Sequence, residues 1–233
     1  MAYSPPPYMT PFPDILVLFD IDGTLLDTHG AGRSAFCRGL QRVTGVEDAL
    51  PYVSFAGNTD RRVLDEVEAY RKIAFTDAQR KAIFDAVAKE LAIALATAPG
   101  QPVEGAKALL EALSCRGARL GLVTGNIERG AHLKLASAGL DGFFSFGGYG
   151  DDEADRSRIL RTALAAAGSA PARAVLVGDT PLDIEAGLAV GIPVLGVAAG
   201  RWDVPALLAA GATHAAPDFS DLPLWLDWLF PPT

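Results

Sequence analysis

The run Ile15-Leu16-Val17-Leu18-Phe19 is apolar without a break and ends in Asp20. A strand with one wet face alternates apolar and polar residues. This run does not alternate, so it suits a strand covered on both faces, as in a parallel sheet. Similar pieces recur at Arg119-Leu120-Gly121-Leu122-Val123-Thr124, at Ala174-Val175-Leu176-Val177 before Gly178-Asp179, and at Pro193-Val194-Leu195-Gly196-Val197. Helical patterns separate them. Residues 103–115 place Ala106, Leu109, Leu110 and Leu113 on one face. Residues 127–138 do the same with Ile127, Ala131, Leu135 and Ala138, and residues 156–167 with Ile159, Leu160, Ala163 and Leu164. Strand and helix alternating through short connections predict an α/β fold with a mostly parallel sheet.

Residues 30–97 break that rhythm with helical patterns and no strand, over 31–43, 60–73 and 77–96. The last carries Ile83, Val87, Leu91 and Leu95 on one stripe. Pro99, Gly100 and Pro102 then punctuate the return. The expected division is an α/β core over 14–28 and 99–233, an all-helical insert over 29–98, and an extended leader over 1–13 rich in proline. The apolar stretch 222–230, with Trp225 and Trp228, reads as a closing helix docked on the body, or else as a helix for a partner.

Composition removes several classes of function. Acidic residues number 28 and basic residues 20, for a net charge of −8. That excludes a nucleic-acid binder held mainly by phosphate contacts, which needs a basic stripe. Half the residues are hydrophobic and 21% are charged, so the chain can bury a core and is not disordered throughout. Cys37 and Cys115 cannot build a disulfide framework. No apolar run reaches the roughly 20 residues that span a bilayer. The leader lacks a basic stretch running into an apolar one, so it does not read as a signal peptide. The expectation is a cytoplasmic protein with reduced thiols and no membrane partner.

Three of the strand-like runs end in polar residues: Asp20 with Asp22, Thr124 with Gly125 and Asn126, and Asp179 with Asp183. In open α/β sheets the ligand crevice lies beyond the carboxyl ends of the strands, so these groups should converge. Carboxylates crowded together repel unless a cation neutralises them. Oxygen ligands without His or Cys suit Mg2+. His29, His132 and His214 do not sit beside these strand ends in sequence, which sets zinc aside.

Asp20-Ile21-Asp22-Gly23-Thr24-Leu25 resembles the first motif of the haloacid dehalogenase superfamily, whose members are mostly phosphatases. Leu122-Val123-Thr124-Gly125-Asn126 resembles the second motif, and Val177-Gly178-Asp179-Thr180-Pro181-Leu182-Asp183 the fourth. A helical insert directly after the first motif is similar to the cap of the phosphoglycolate phosphatase-like branch. The resemblance implies a Rossmann-like three-layer core bearing an inserted helical cap. It also implies a Mg2+-dependent phosphatase working through an aspartyl-phosphate. Asp20 would be the nucleophile, and Asp22 the general acid and later the base. Asp20, Asp22 (through its backbone carbonyl), Asp179 and Asp183 would form the metal site, Asp183 through water or hydrogen bonds. Thr124, Gly125 and Asn126 would cradle the phosphoryl group, and Gly23 would let the backbone turn closely around it.

The third motif departs from the family pattern, which normally supplies a lysine. Here the segment runs from Gly147 to Arg158 without one. Lys107 and Lys134 follow the insert, and both are expected on helices elsewhere. The positive charge then falls to Arg156, with Arg158 as runner-up. The turn Phe55-Ala56-Gly57-Asn58-Thr59-Asp60-Arg61-Arg62 is the expected selectivity segment of the cap. Arg61 or Arg62 would meet an anionic group of the substrate, and Asp60 or Thr59 would cap the next helix. Thr28-His29-Gly30 would form the linker into the cap, with Gly30 and Gly32 allowing hinge movement. The expected ligand is a small phosphorylated metabolite, handled by a monomer or homodimer. A phosphomutase of the same superfamily and a non-catalytic phosphate-binding module are the alternatives.

Overall fold

The computed structural model describes residues 14–47, 50–151, 153–168 and 171–231. The expected leader, 1–13, lies outside the described residues. The chain forms a six-stranded parallel sheet around β1 (Ile15–Phe19). β4 (Arg119–Val123) and β6 (Arg173–Gly178) flank β1, with Val17 opposite Leu120 on one side and Val175 on the other. β5 (Gly147–Gly148) extends the sheet beyond β4, and β7 (Val194–Val197) then β8 (His214–Ala216) extend it beyond β6. The strand order reverses direction at β1, so the ends of β1, β4 and β6 open into one crevice.

The unbroken apolar runs are explained by cover on both faces. Val17, Phe19, Leu122, Val175 and Val177 pack under α4 (Ala106–Cys115), α5 (Glu128–Ser137) and α9 (Leu222–Leu229). Leu16, Leu18, Val123 and Leu176 pack under α6 (Arg156–Ala166), α7 (Pro181–Val190) and α8 (Val204–Ala210). The result is three layers. Each buried Val, Leu or Phe contributes about 1.5–3 kcal/mol relative to exposure. β1 is fully covered, so it can carry charged residues at its end without losing its place.

The inserted cap is helical, as expected. α1 (Ala31–Thr44), α2 (Asp60–Arg71) and α3 (Asp77–Thr97) enclose their own core of Phe36, Leu40, Val63, Leu64, Val67, Ile83, Val87, Leu91 and Leu95. α2 stops at Arg71 rather than Ile73 because Lys72 turns left-handed (φ 55°), which leaves Ile73 exposed. A two-stranded ribbon that the sequence did not announce, β2 (Leu26–Asp27) against β3 (Gln101–Pro102), carries the chain out to the cap and back. The Trp-rich end is a docked closing helix. Trp225 is fully buried against Phe219, its indole N–H donates to the Asp218 carbonyl at 2.8 Å, and Trp228 stacks on His214. Among the described residues no helix is long and apolar enough to cross a membrane.

Candidate active site

β1 hands over to the site without leaving the ladder, because the Asp20 amide still donates to the Val177 carbonyl at 3.0 Å. The chain then turns sharply, with Leu25 N–H donating to the Ile21 carbonyl at 2.9 Å. Gly23 permits this turn: its φ is 80°, and a Cβ there would stand 2.4 Å from Asp179 Oδ2. Asp20 is thereby set beside Asp179, which directly follows β6, and Asp183, in the first turn of α7. One carboxylate oxygen from each of the three lies within 4.8 Å of the others, and all three residues are buried. Thr24 Oγ1 bridges Asp20 Oδ2 (3.5 Å) and Asp179 Oδ1 (3.3 Å).

Burial raises the cost of charge here. It pushes the Asp20 carboxyl up to about 7; Arg156 opposes that shift, and Asp183 and Asp22 add to it. Burial also raises Asp179 well above the ordinary carboxylate range, helped by Asp20 and Asp183. The one cation inside the cluster is Arg156, which is 7% exposed. Its Nη2 donates to Asp20 Oδ1 at 2.5 Å, its Nε to Asp183 Oδ1 at 2.7 Å, and its Nη1 to the Gly57 carbonyl at 3.2 Å. Burial works against the guanidinium charge, but Asp183 and Asp20 hold it above its ordinary value. When ionised, three carboxylates exceed the charge of one guanidinium, so a cation must make up the balance. That donor set, hard oxygens in a buried crevice, fits a divalent cation such as Mg2+. Asp183 is fully occupied in placing others. Its Oδ2 accepts from the Thr180 amide and hydroxyl, and its Oδ1 from Arg156. Arg158, the runner-up for the third motif, lies on the surface paired with Glu153 at 3.2 Å.

The expectation for Lys134 needs correction. It lies in the site: it is 4% exposed, and its Nζ donates to both oxygens of Asp22 at 2.7 and 2.6 Å and to Asn126 Oδ1 at 2.6 Å. A signal was present, since Lys134 falls three residues after Ala131 and seven after Ile127, on the apolar stripe of α5. Asn126 donates from Nδ2 to Asp22 Oδ2 (2.6 Å) and Thr124 Oγ1 (2.8 Å). Its side chain therefore organises the site, and its amide is engaged by Thr124 Oγ1 at 3.2 Å.

The cap turn lies directly on this loop. A Cβ on Gly125 would stand 2.2 Å from the Asn58 carbonyl oxygen. Asp60 N–H donates to the Gly125 carbonyl at 2.7 Å, and Asp60 Oδ2 accepts from Ile127 N–H at 2.8 Å. Thr59 rather than Asp60 caps α2, through Arg62 N–H at 3.0 Å. Burial pushes Asp60 up to about 6, against the pull of Lys134 and the Ile127 amide. Between cap and core lies a cavity of about 370 Å³. Asp20, Asp22, Gly23, Thr124, Gly125, Asn126, Arg156 and Asp179 line its core side. Arg61, expected to face substrate, does not line it. Arg61 pairs with Asp65 at 3.3 Å, and Arg62 pairs with Glu66, each one helical turn along α2, so both stay on the helix surface. Arg33 and Arg201 line the cavity instead. His29 is exposed against Asp27 in the linker.

The model of the haloacid dehalogenase-like hydrolases matches residues 17–197, which include Asp20, Asp22, Thr124, Lys134, Arg156, Asp179 and Asp183. The chain belongs to that family. It is a phosphoric monoester hydrolase. It is 32% identical over 220 residues to a phosphoglycolate phosphatase of Rhodospirillum rubrum, covering 90% of each chain. It is 29% identical over 219 residues to the pyrophosphatase PpaX of Anoxybacillus flavithermus, covering 87% of this chain and 90% of that one. Among solved structures it is similar to a hydrolase from Pseudomonas syringae (TM-score 0.71, 22% identity, covering 92% of this chain and 98% of that one). It is also similar to a variant of CbbY from Rhodobacter sphaeroides in complex with xylulose 1,5-bisphosphate (TM-score 0.73, 21% identity, covering 89% and 95%). Both structures share the fold.

Proposed function

We propose that this hydrolase is a Mg2+-dependent phosphatase of small phosphorylated metabolites, acting through an aspartyl-phosphate on Asp20. The observation that carries the reading is the setting of Asp20: buried at a strand end, gripped by Arg156 at 2.5 Å, and grouped with Asp179 and Asp183. Asp20 and Asp179, with the backbone carbonyl of Asp22, would hold the metal, and Asp183 would keep its surroundings in place. Bound there, Mg2+ would neutralise the carboxylates and the charge that develops on the phosphoryl oxygens.

The residues divide the work. A carboxylate oxygen of Asp20 attacks phosphorus, and the bond from phosphorus to the leaving oxygen breaks. Asp22, at the cavity wall, gives its proton to that oxygen. Arg156 keeps Asp20 oriented and supplies positive charge beside the transferred group, the work the family usually assigns to lysine. The Thr124 hydroxyl and the Gly125 amide receive the phosphoryl oxygens. Water then attacks phosphorus of the aspartyl-phosphate, Asp22 takes a proton from that water, and the bond between phosphorus and the Asp20 oxygen breaks, which releases phosphate and restores the Asp20 carboxylate.

Arg33 and Arg201 are placed to balance a second anionic group on the substrate, which supports phosphoglycolate as the first compound to test. The test is phosphate release from a panel of phosphorylated metabolites, with Mg2+ and with chelator, followed by borohydride trapping of the acyl-phosphate. Reduction of residue 20, identified by mass spectrometry and missing in Asp20→Asn, is the expected result. Release that persists in Asp20→Asn rejects the mechanism.

A further inference from the structure

We propose that Lys134 is a positioning residue that aligns the Asp22 carboxylate with the leaving oxygen of the substrate. This rests on the reading of Asp22 as the proton carrier. Asp22 occupies the edge of the cavity, and its side chain is 42% exposed. A carboxylate in that position is free to rotate unless neighbours fix its plane. Lys134 Nζ touches both of its oxygens, at 2.7 and 2.6 Å, and Asn126 Nδ2 touches one, at 2.6 Å. Contacts to both oxygens set the orientation of the group as well as its location.

The geometry separates this role from direct substrate binding. An ammonium has three N–H donors. Lys134 directs all three at Asp22 Oδ1, Asp22 Oδ2 and Asn126 Oδ1. None is left for a phosphoryl oxygen while Asp22 is in place. The contact with Asp20 that the family usually gives to a lysine is made here by Arg156. Lys134 lines the cavity but is only 4% exposed, and Gly32, in the first turn of α1, packs close to it: a Cβ there would stand 3.2 Å from Nζ. Two cations thus serve two aspartates separately, Arg156 the nucleophile and Lys134 the proton carrier.

The test uses Lys134→Met and two substrates, p-nitrophenyl phosphate and phosphoglycolate. Nitrophenolate leaves without a proton, so forming the aspartyl-phosphate from it needs no aligned acid. Its hydrolysis still needs Asp22 as base. Lys134→Met is expected to release a burst of nitrophenolate equal to the enzyme present, then turn over 10²-fold or more slowly. With phosphoglycolate it should show no burst and a similar or larger fall in kcat, with KM changed less than about threefold. A parallel measurement adds Lys134→Met to Asp22→Asn. If Lys134 acts through Asp22, the second substitution changes kcat by less than about twofold. Loss of the nitrophenolate burst, an unchanged phosphoglycolate kcat, or fully multiplicative losses in the double variant overturns the proposal. Lys134→Leu, which fills buried space but offers no donor, replaces Lys134→Met if the latter fails to fold, with the same outcomes. Wild-type protein that releases no phosphate from either compound overturns the phosphatase reading itself, and this proposal with it.

Discussion

Arg156 Nε lies 2.7 Å from Asp183 Oδ1, and this contact turns the guanidinium so that Nη2 meets Asp20. Asp183 is in turn fixed by the amide and hydroxyl of Thr180. Asp20, the proposed nucleophile, is therefore oriented by a relay that runs from the start of α7, through Arg156 on α6, to the end of β1.

Arg156→Ala should lower kcat by about 10²–10³, the scale of losing one preorganised charge contact at a transition state. Arg156→Lys should recover only part, because one ammonium cannot keep the forked grip on Asp20 and Asp183. Arg158→Ala should leave kcat and Tm unchanged, since it removes only a surface pair with Glu153. Steady-state kinetics and thermal unfolding of the three variants check this. Equal activity of Arg156→Ala and wild type rejects the role of Arg156.

The raised carboxyls tie stability to pH and to metal. Asp20 has an ordinary value of 3.8 and is held at about 7 in the folded protein. Between those values the unfolded chain gives up the proton and the folded one keeps it. Metal-free protein should therefore lose stability as pH rises from about 4 to about 7, with the full cost present above that range. Each kcal/mol corresponds to about 2–4 °C in Tm for a chain of this size. A divalent cation needs the ionised carboxylates, so Mg2+ should raise Tm more at pH 8 than at pH 5. Calorimetry with chelator and with Mg2+ at both pH values measures this, and an equal Mg2+ effect at both rejects it.

Much of this was legible in the sequence because strand ends carry their chemistry in order. β1, β4 and β6 announced themselves by apolar runs buried on both faces, and their last residues converge where the sheet reverses. β5, made of Gly147 and Gly148, has no side chains to signal a strand. The β2–β3 ribbon is two residues on each side, too short for any period to show. Lys134 escaped because a lysine on a helix is usually solvated, and its acceptor Asp22 is 112 residues away in sequence. Arg61 was misplaced for the opposite reason. It is adjacent to the right turn, yet the helix directs its side chain along α2 to Asp65.

Asp60 joins cap to core through one carboxylate oxygen on the Ile127 amide at 2.8 Å. Asp60→Ala removes that acceptor and leaves a helix-start amide without its partner, a loss of about 1–3 kcal/mol. The expected result is faster hydrogen exchange at Ile127 and a KM raised by about tenfold, because the cap closes less completely over substrate. Asp60→Asn, which can still accept from the amide, should lie nearer wild type. Unchanged exchange at Ile127 in Asp60→Ala rejects the link.

Gly125 is the place where the cap and the loop after β4 meet backbone to backbone. A methyl group there would be 2.2 Å from the Asn58 carbonyl oxygen and 2.9 Å from Thr59 Cα, and neither atom is a flexible side-chain end. Gly125→Ala must therefore push the turn at Asn58–Thr59 away, which strains the 2.7 Å bond from Asp60 N–H to the Gly125 carbonyl. Overpacking of this kind costs about 1–3 kcal/mol. The displaced turn also carries the Gly57 carbonyl, which accepts from Arg156. Activity should fall with stability, through looser orientation of Asp20. Gly142→Ala serves as the control, because a Cβ there meets nothing within 4 Å and the backbone is not left-handed. Thermal unfolding and kcat/KM for the two alanine variants decide it. If both variants behave like wild type, the cap does not rest on the loop after β4 in the working enzyme.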